Sequence, residues 1–168
     1  MNTTQVYDTI WRDNKTSRYV SAVIPTGALP FIKPSLRECC YIVHIPWKQE
    51  ESKAELSTVV KGSDLLLSFG RLVKGHWFVL VAVHFRFFIF DVLGRERMAC
   101  NDEMISFIEN SECLSVNEEV IDYQNCAYYC LLFAFHRSRG VSIPNIISLL
   151  KKCKNDVKEI CMERFRNN

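Results

Sequence analysis

"HWFVLVAVHFRFFIFDVLG", residues 76–94, is the stretch on which the reading of this chain turns. Its apolar residues run almost without a break and have strand composition. His84 and Arg86 interrupt the run and mark a reversal, which divides it into buried strands near 77–83 and 87–91. No Gly or Asn stands at the reversal, where hairpin turns usually place one. A histidine opens the stretch and an aspartate nearly closes it, although core strands rarely carry ionisable residues at both ends for packing reasons alone. In a hairpin the outer ends of the two strands lie side by side, so His76 and Asp91 become neighbours. A carboxylate beside an imidazole is the arrangement that orients a general base. A strand-edge His and a capping Asp are each common alone; their placement at matching ends of one hairpin singles them out.

A base of this kind needs a nucleophile, and "NCAYYCLLFAFHRSRG" (125–140) supplies a candidate. The segment reads as a helix that begins at Cys126, stops at Gly140 and is apolar nearly all round, so it belongs against the sheet. A thiol in the first turn of a helix meets the positive end of the macrodipole, which favours the nucleophilic thiolate. Ala127 leaves the neighbouring backbone accessible. Cys130 lies one turn further on, at a position where cysteine is ordinarily a small buried hydrophobe. Cys126 is the preferred nucleophile, with Cys130 as the alternative.

The composition narrows the class. A chain of 168 residues, 48% hydrophobic and 12% aromatic, can bury one real core and reads as a single domain over 1–168. There is no low-complexity stretch and no internal repeat. The apolar run from Trp77 to Phe90 is broken by His84 and Arg86, so no membrane span is expected. The amino terminus has no apolar signal segment, which makes a soluble, intracellular protein the expectation. Eight cysteines are therefore expected as reduced thiols. Cys39 and Cys40 are adjacent and no Cys-x-x-Cys pair recurs, so neither a zinc site nor any other metal or cofactor site is expected. The net charge of +2 does not argue for nucleic acid. The segment from Lys151 to Arg166 is more basic, and reads as the solvated face of a terminal helix or as a DNA-facing surface.

The remaining elements frame an α+β domain with a mixed or antiparallel sheet. Residues 3–14 suit a short helix. "VSAVIPTGALPFIKPS" is a Pro/Gly-punctuated loop carrying an extended segment, and "CCYIVHI" (39–45) is a buried strand. A polar connection, "PWKQEESKAELST", and then "SDLLLSFG", a strand or short helical turn, lead to Gly70. "NDEMISFIEN" has helical spacing with Asn101 or Asp102 as cap. "CLSVNEEVIDY" (113–123) reads as a strand. Ser142 caps a helix with Pro144 in its first turn, and "DVKEICMERFR" completes the chain.

Taken together, these blocks resemble the adenovirus protease (adenain) family of DNA viruses and virus-like transposons. "GHWFVLVAV" and "FFIFDVLG" resemble its His-Trp strand and its Phe-Asp-x-x-Gly strand end. "CAYYCLLFAFHRSRGVS" is similar to its nucleophile helix, and "SAVIPTGALP" with "YIVHI" to its amino-terminal segment. The three blocks stand in family order and cover most of residues 20–150. The resemblance implies the fold shared with SUMO-specific proteases, a mixed central sheet packed on a nucleophile-bearing helix. It implies a Cys-His-Asp endopeptidase that cleaves viral precursor proteins at small residues such as Gly during particle maturation. It also implies DNA and a short viral peptide as activators, and a place in the host nucleus or cytoplasm and in the virion. A monomer is expected. Two departures stand out. Ala127 replaces the family's Gly, and the oxyanion Gln expected six or seven residues before Cys126 is absent, Glu119 and Val120 standing there. Gln124, two residues before Cys126 and six before Cys130, is the remaining candidate donor. These departures keep other readings open: a pseudo-protease serving as a binding module, a deubiquitinase- or deSUMOylase-like isopeptidase, and a nucleic-acid-binding accessory protein.

Overall fold

A computed structural model describes residues 19–32, 36–46, 75–95, 102–111 and 113–166. The expected helix at 3–14, the connection after Pro46, the segment before Gly70 and the Asn101 cap lie outside these residues. Strand β1 (Ala22–Pro25) leads into a 3-10 helix (Thr26–Phe31), and β2 (Cys39–Pro46) follows. Then come β3 (Gly75–Val83), β4 (Arg86–Phe90), helix α1 (Asp102–Glu109) and β5 (Cys113–Val116). Helices α2 (Cys126–Ser138), α3 (Ile143–Lys152) and α4 (Val157–Arg166) close the described chain.

Among the described residues the five strands form one mixed sheet in the order β1-β2-β3-β4-β5. The outer pairs, β1 with β2 and β4 with β5, are parallel; β3 is antiparallel to both of its neighbours. The unbroken apolar run of β3 has its cause here. Trp77 through Ala82 are all buried, because this strand is central and covered on both faces. On one face Phe133 of α2 stacks on Phe90 (ring centroids 4.9 Å apart) and on Phe88 (6.3 Å). On the other, Phe107 of α1 meets the alternate residue Phe87 edge-on at 5.3 Å.

The hairpin turns at His84–Phe85 without glycine because His84 itself takes a positive φ of 53°. Helix α2 ends as its Gly140 suggests. Gly140, at φ 81°, donates its N–H to Arg137 O (3.0 Å), and Val141 donates to His136 O (3.2 Å), the paired bonds of a Schellman cap. Ser142 then caps α3, its hydroxyl accepting from Asn145 N–H at 3.4 Å. The strand expected over 113–123 is shorter than its pattern suggested. It ends at Val116, and 117–125 runs as a connection, because Asn117, Glu118 and Glu119 break the alternation that a strand needs.

No helix among the described residues is long and apolar enough to cross a membrane.

Candidate active site

The hairpin places the first two residues. His76 is the second residue of β3 and Asp91 directly follows β4. Continuing the Val79–Phe90 register by one pair sets Asp91 opposite Phe78, with His76 two residues further along. That is a diagonal reach for long side chains. The side chains close it: His76 Nε2 lies 2.8 Å from both Asp91 Oδ1 and Oδ2. An ionised carboxylate only accepts, so Nε2 carries the proton and donates, which leaves Nδ1 for a third group. Asp91 is 1% exposed and His76 20%. Leu93 N–H donates to Asp91 Oδ1 at 2.8 Å, a second anchor that holds the carboxylate in one orientation.

The third group is Cys126. It is the first residue of α2, half-buried and close enough to the His76 ring to help hold its imidazole up. Asn125 sets the start of the helix with a positive φ of 62°, a conformation that Asn tolerates better than most residues. Its carbonyl accepts from Tyr128 N–H (3.0 Å) and Tyr129 N–H (3.3 Å). The N–H groups of Cys126 and Ala127 precede the first helical bonds and point out of the helix end.

Burial by itself would lower the pKa of His76. The hydrogen bond to Asp91, the neighbouring Cys126 and the charge on both groups outweigh it and hold the imidazole up at about 10. The stability this contributes is fully present below the ordinary value near 6.5 and is lost as the pH rises through about 10.

The alternatives to these residues fall elsewhere. Cys130 is 1% exposed, and burial first, then the neighbouring Cys126, pushes its thiol well above the ordinary range. His44 is wholly buried, its ring tilted 35° against Trp77 at 4.5 Å, and burial with the nearby His76 holds it down at about 3. His84 is exposed in the hairpin turn, and His136 lies in the last turn of α2. Gln124 is exposed in the connection before α2. Its backbone N–H donates to Asp122 Oδ1 at 3.1 Å, and among the described residues its side chain bonds none of the other three. The structure therefore brings together His76, Asp91 and Cys126, and leaves Gln124 exposed two residues before α2. Among the described residues no group of three or more His, Cys, Asp or Glu could hold a metal ion.

One residue close to this cluster was not singled out from the sequence. Asn117 is buried, and its side chain bonds the Asp91 backbone in both directions. The sole signal in the sequence was an Asn at the point where the β5 alternation stops. The connection that follows is tied to the strand end: Ile121 N–H donates to Val92 O at 2.8 Å. Its Asp122 carboxylate also accepts from the hydroxyl of buried Tyr129 at 2.8 Å.

Gly94 is where this connection passes closest. At φ 69°, a Cβ there would stand 2.9 Å from Glu118 O and 3.0 Å from the Glu119 carbonyl carbon. Gly94→Ala is expected to cost about 2 kcal/mol or more, strain and collision together. Gly140→Ala, whose Cβ would meet open space, is expected to cost about 1 kcal/mol from strain alone. Urea denaturation of the two variants measures the difference; equal losses would contradict the close passage at Gly94.

Compared with protein-family models, with curated proteins and with solved structures, the chain gives no match.

Proposed function

We propose that this chain is a cysteine endopeptidase in which Cys126 is the nucleophile, His76 the base and Asp91 the group that orients it. The observation that carries this reading is the His76 ring, held at Nε2 by both oxygens of the Asp91 carboxylate, with the half-buried Cys126 beside it at the start of α2. A helix bearing the thiol, packed on the hairpin that bears the other two residues, also supports the adenain and SUMO-protease type of fold.

The chemistry follows from these positions. His76 Nδ1 takes the thiol proton, giving a thiolate beside an imidazolium. The sulfur attacks the peptide carbonyl carbon, and the N–H groups at the start of α2, with Gln124 from the connection before it, take the developing negative oxygen. Collapse breaks the C–N bond as the imidazolium gives its proton to the leaving amine. Water then attacks the thioester while His76 removes its proton, and the acid product leaves Cys126 as a thiol. The resemblance supplies the expected substrates, viral precursor proteins cut beside small residues such as Gly.

The pH dependence tests this mechanism. The leaving amine needs a protonated imidazole, so hydrolysis of Gly-containing fluorogenic peptides should persist into alkaline pH and fall off near 10. Asp91→Asn removes the strongest of the upward influences, and burial then pulls the imidazole down. The alkaline limb should move to lower pH by about one unit or more. Alkylation mapped by mass spectrometry gives a second reading, in which Cys126 should react faster than the exposed Cys113. No hydrolysis, together with a Cys126 no more reactive than Cys113, would reject the enzyme and leave a binding module.

A further inference from the structure

We infer that Asn117 is a positioning residue of this site: its carboxamide fixes the Asp91 backbone, and through it the carboxylate that holds His76. The inference rests on reading His76 and Asp91 as base and orienting acid.

The β-ladder explains why such a residue is needed. Pairing between β4 and β5 runs as far as Ile89 with Val116 and then stops. Asp91 lies just beyond, almost fully buried, with a backbone N–H and C=O that both need partners. Asn117 supplies them with its side chain. Its Oδ1 accepts from Asp91 N–H at 2.8 Å, and its Nδ2 donates to Asp91 O at 2.8 Å. The carboxamide thus stands in for a peptide group of the missing strand. Its second N–H donates to Glu119 O at 3.2 Å, while the Asn117 backbone N–H donates to Ile89 O at 3.3 Å.

Using a side chain here has a geometric result. Had the main chain itself paired with Asp91, β5 would have continued alongside β4. With the side chain in that role, the main chain leaves the sheet and runs through Asp122 to Cys126. Asn117 therefore clamps the acid and releases the segment that delivers the thiol. Asn suits the position closely. Aspartate cannot donate to the two carbonyls when ionised, alanine offers no polar atom, and glutamine is one carbon too long.

Among the described residues the titratable groups facing His76 are Asp91 just after β4, Cys126 from α2 and His44 from β2. Asn117 is not among them, so any effect of changing it on His76 must pass through Asp91. The experiment is a ¹⁵N NMR titration of the His76 ring in the full chain, run on wild type, Asn117→Ala, the uncharged Asn117→Thr of similar volume, and Asp91→Asn as reference. In both uncharged Asn117 variants, Asn117→Ala and Asn117→Thr, the His76 midpoint should fall by about one pH unit or more, toward the Asp91→Asn value. On peptide substrates kcat should drop about ten- to a hundredfold with KM within about twofold. Thermal melts report whether each variant is folded, and Asn117→Thr, similar in volume and uncharged, serves if Asn117→Ala does not fold. A folded variant with an unmoved His76 midpoint overturns the inference, as does failure of both variants to fold, which would make Asn117 a purely structural residue. The titration needs no turnover. An inactive wild type with the expected midpoint changes would remove the peptidase reading and leave the positioning role standing. An active wild type with an unmoved midpoint would do the reverse.

Discussion

Cys126→Ala should abolish peptide hydrolysis, with a loss of about 10⁴-fold or more, while Cys130→Ala should keep turnover. The two cysteines lie one turn apart on α2 and are separated by depth. Cys126 is half-buried at the helix start, beside the His76 ring. Cys130 is sealed in the core, where burial keeps it a thiol. Truncating Cys130 removes one buried sulfur and should cost about 1 kcal/mol through a small cavity. The measurement is initial-rate kinetics beside urea denaturation for both variants. Activity lost in Cys130→Ala and kept in Cys126→Ala would move the nucleophile one turn inward and place Gln124 six residues before it.

Phe133→Ala should be among the most damaging changes to stability. The ring is fully buried and stacks on Phe90 and Phe88, so it joins α2 to the sheet face beside the site. Truncating a buried phenylalanine costs about 3–5 kcal/mol. That is a large share of the roughly 5–15 kcal/mol that holds a domain together. For a chain of this size the midpoint of thermal unfolding should drop by about 6–20 °C. A loss below about 1 kcal/mol would mean that α2 does not pack on β4 through this ring.

How much of this was legible beforehand depended on the range of the interactions. The hairpin pairing of His76 with Asp91 could be read because it is local: two apolar runs joined by a short reversal have one antiparallel solution. Helix α2 was legible from its start at Cys126 to its stop at Gly140, since caps and apolar spacing are written within a few residues. Which cysteine meets His76 was left open, because Cys126 and Cys130 share a helix face and depth is a tertiary property. Asn117 was missed for a related reason. Its importance lies in what Asp91 lacks at the end of a ladder, and a ladder's length is set by two strands together. The same blindness extended the strand through Tyr123, where Leu114 and Val116 began an alternation that Asn117 and the two glutamates ended.

The sheet order β1 to β5 is also the order in which its strands occur along the chain, and this bears on how the site comes together. His76 and Asp91 belong to one hairpin, whose closure needs only a two-residue turn and has a small loop entropy. Cys126 belongs to a helix made later, and docking that helix requires a contact of longer range. During synthesis His76 and Asp91 are therefore both made before Cys126. On the proposed reading, the three groups come into register only when Asn117 ties Asp91 and α2 settles on the finished sheet.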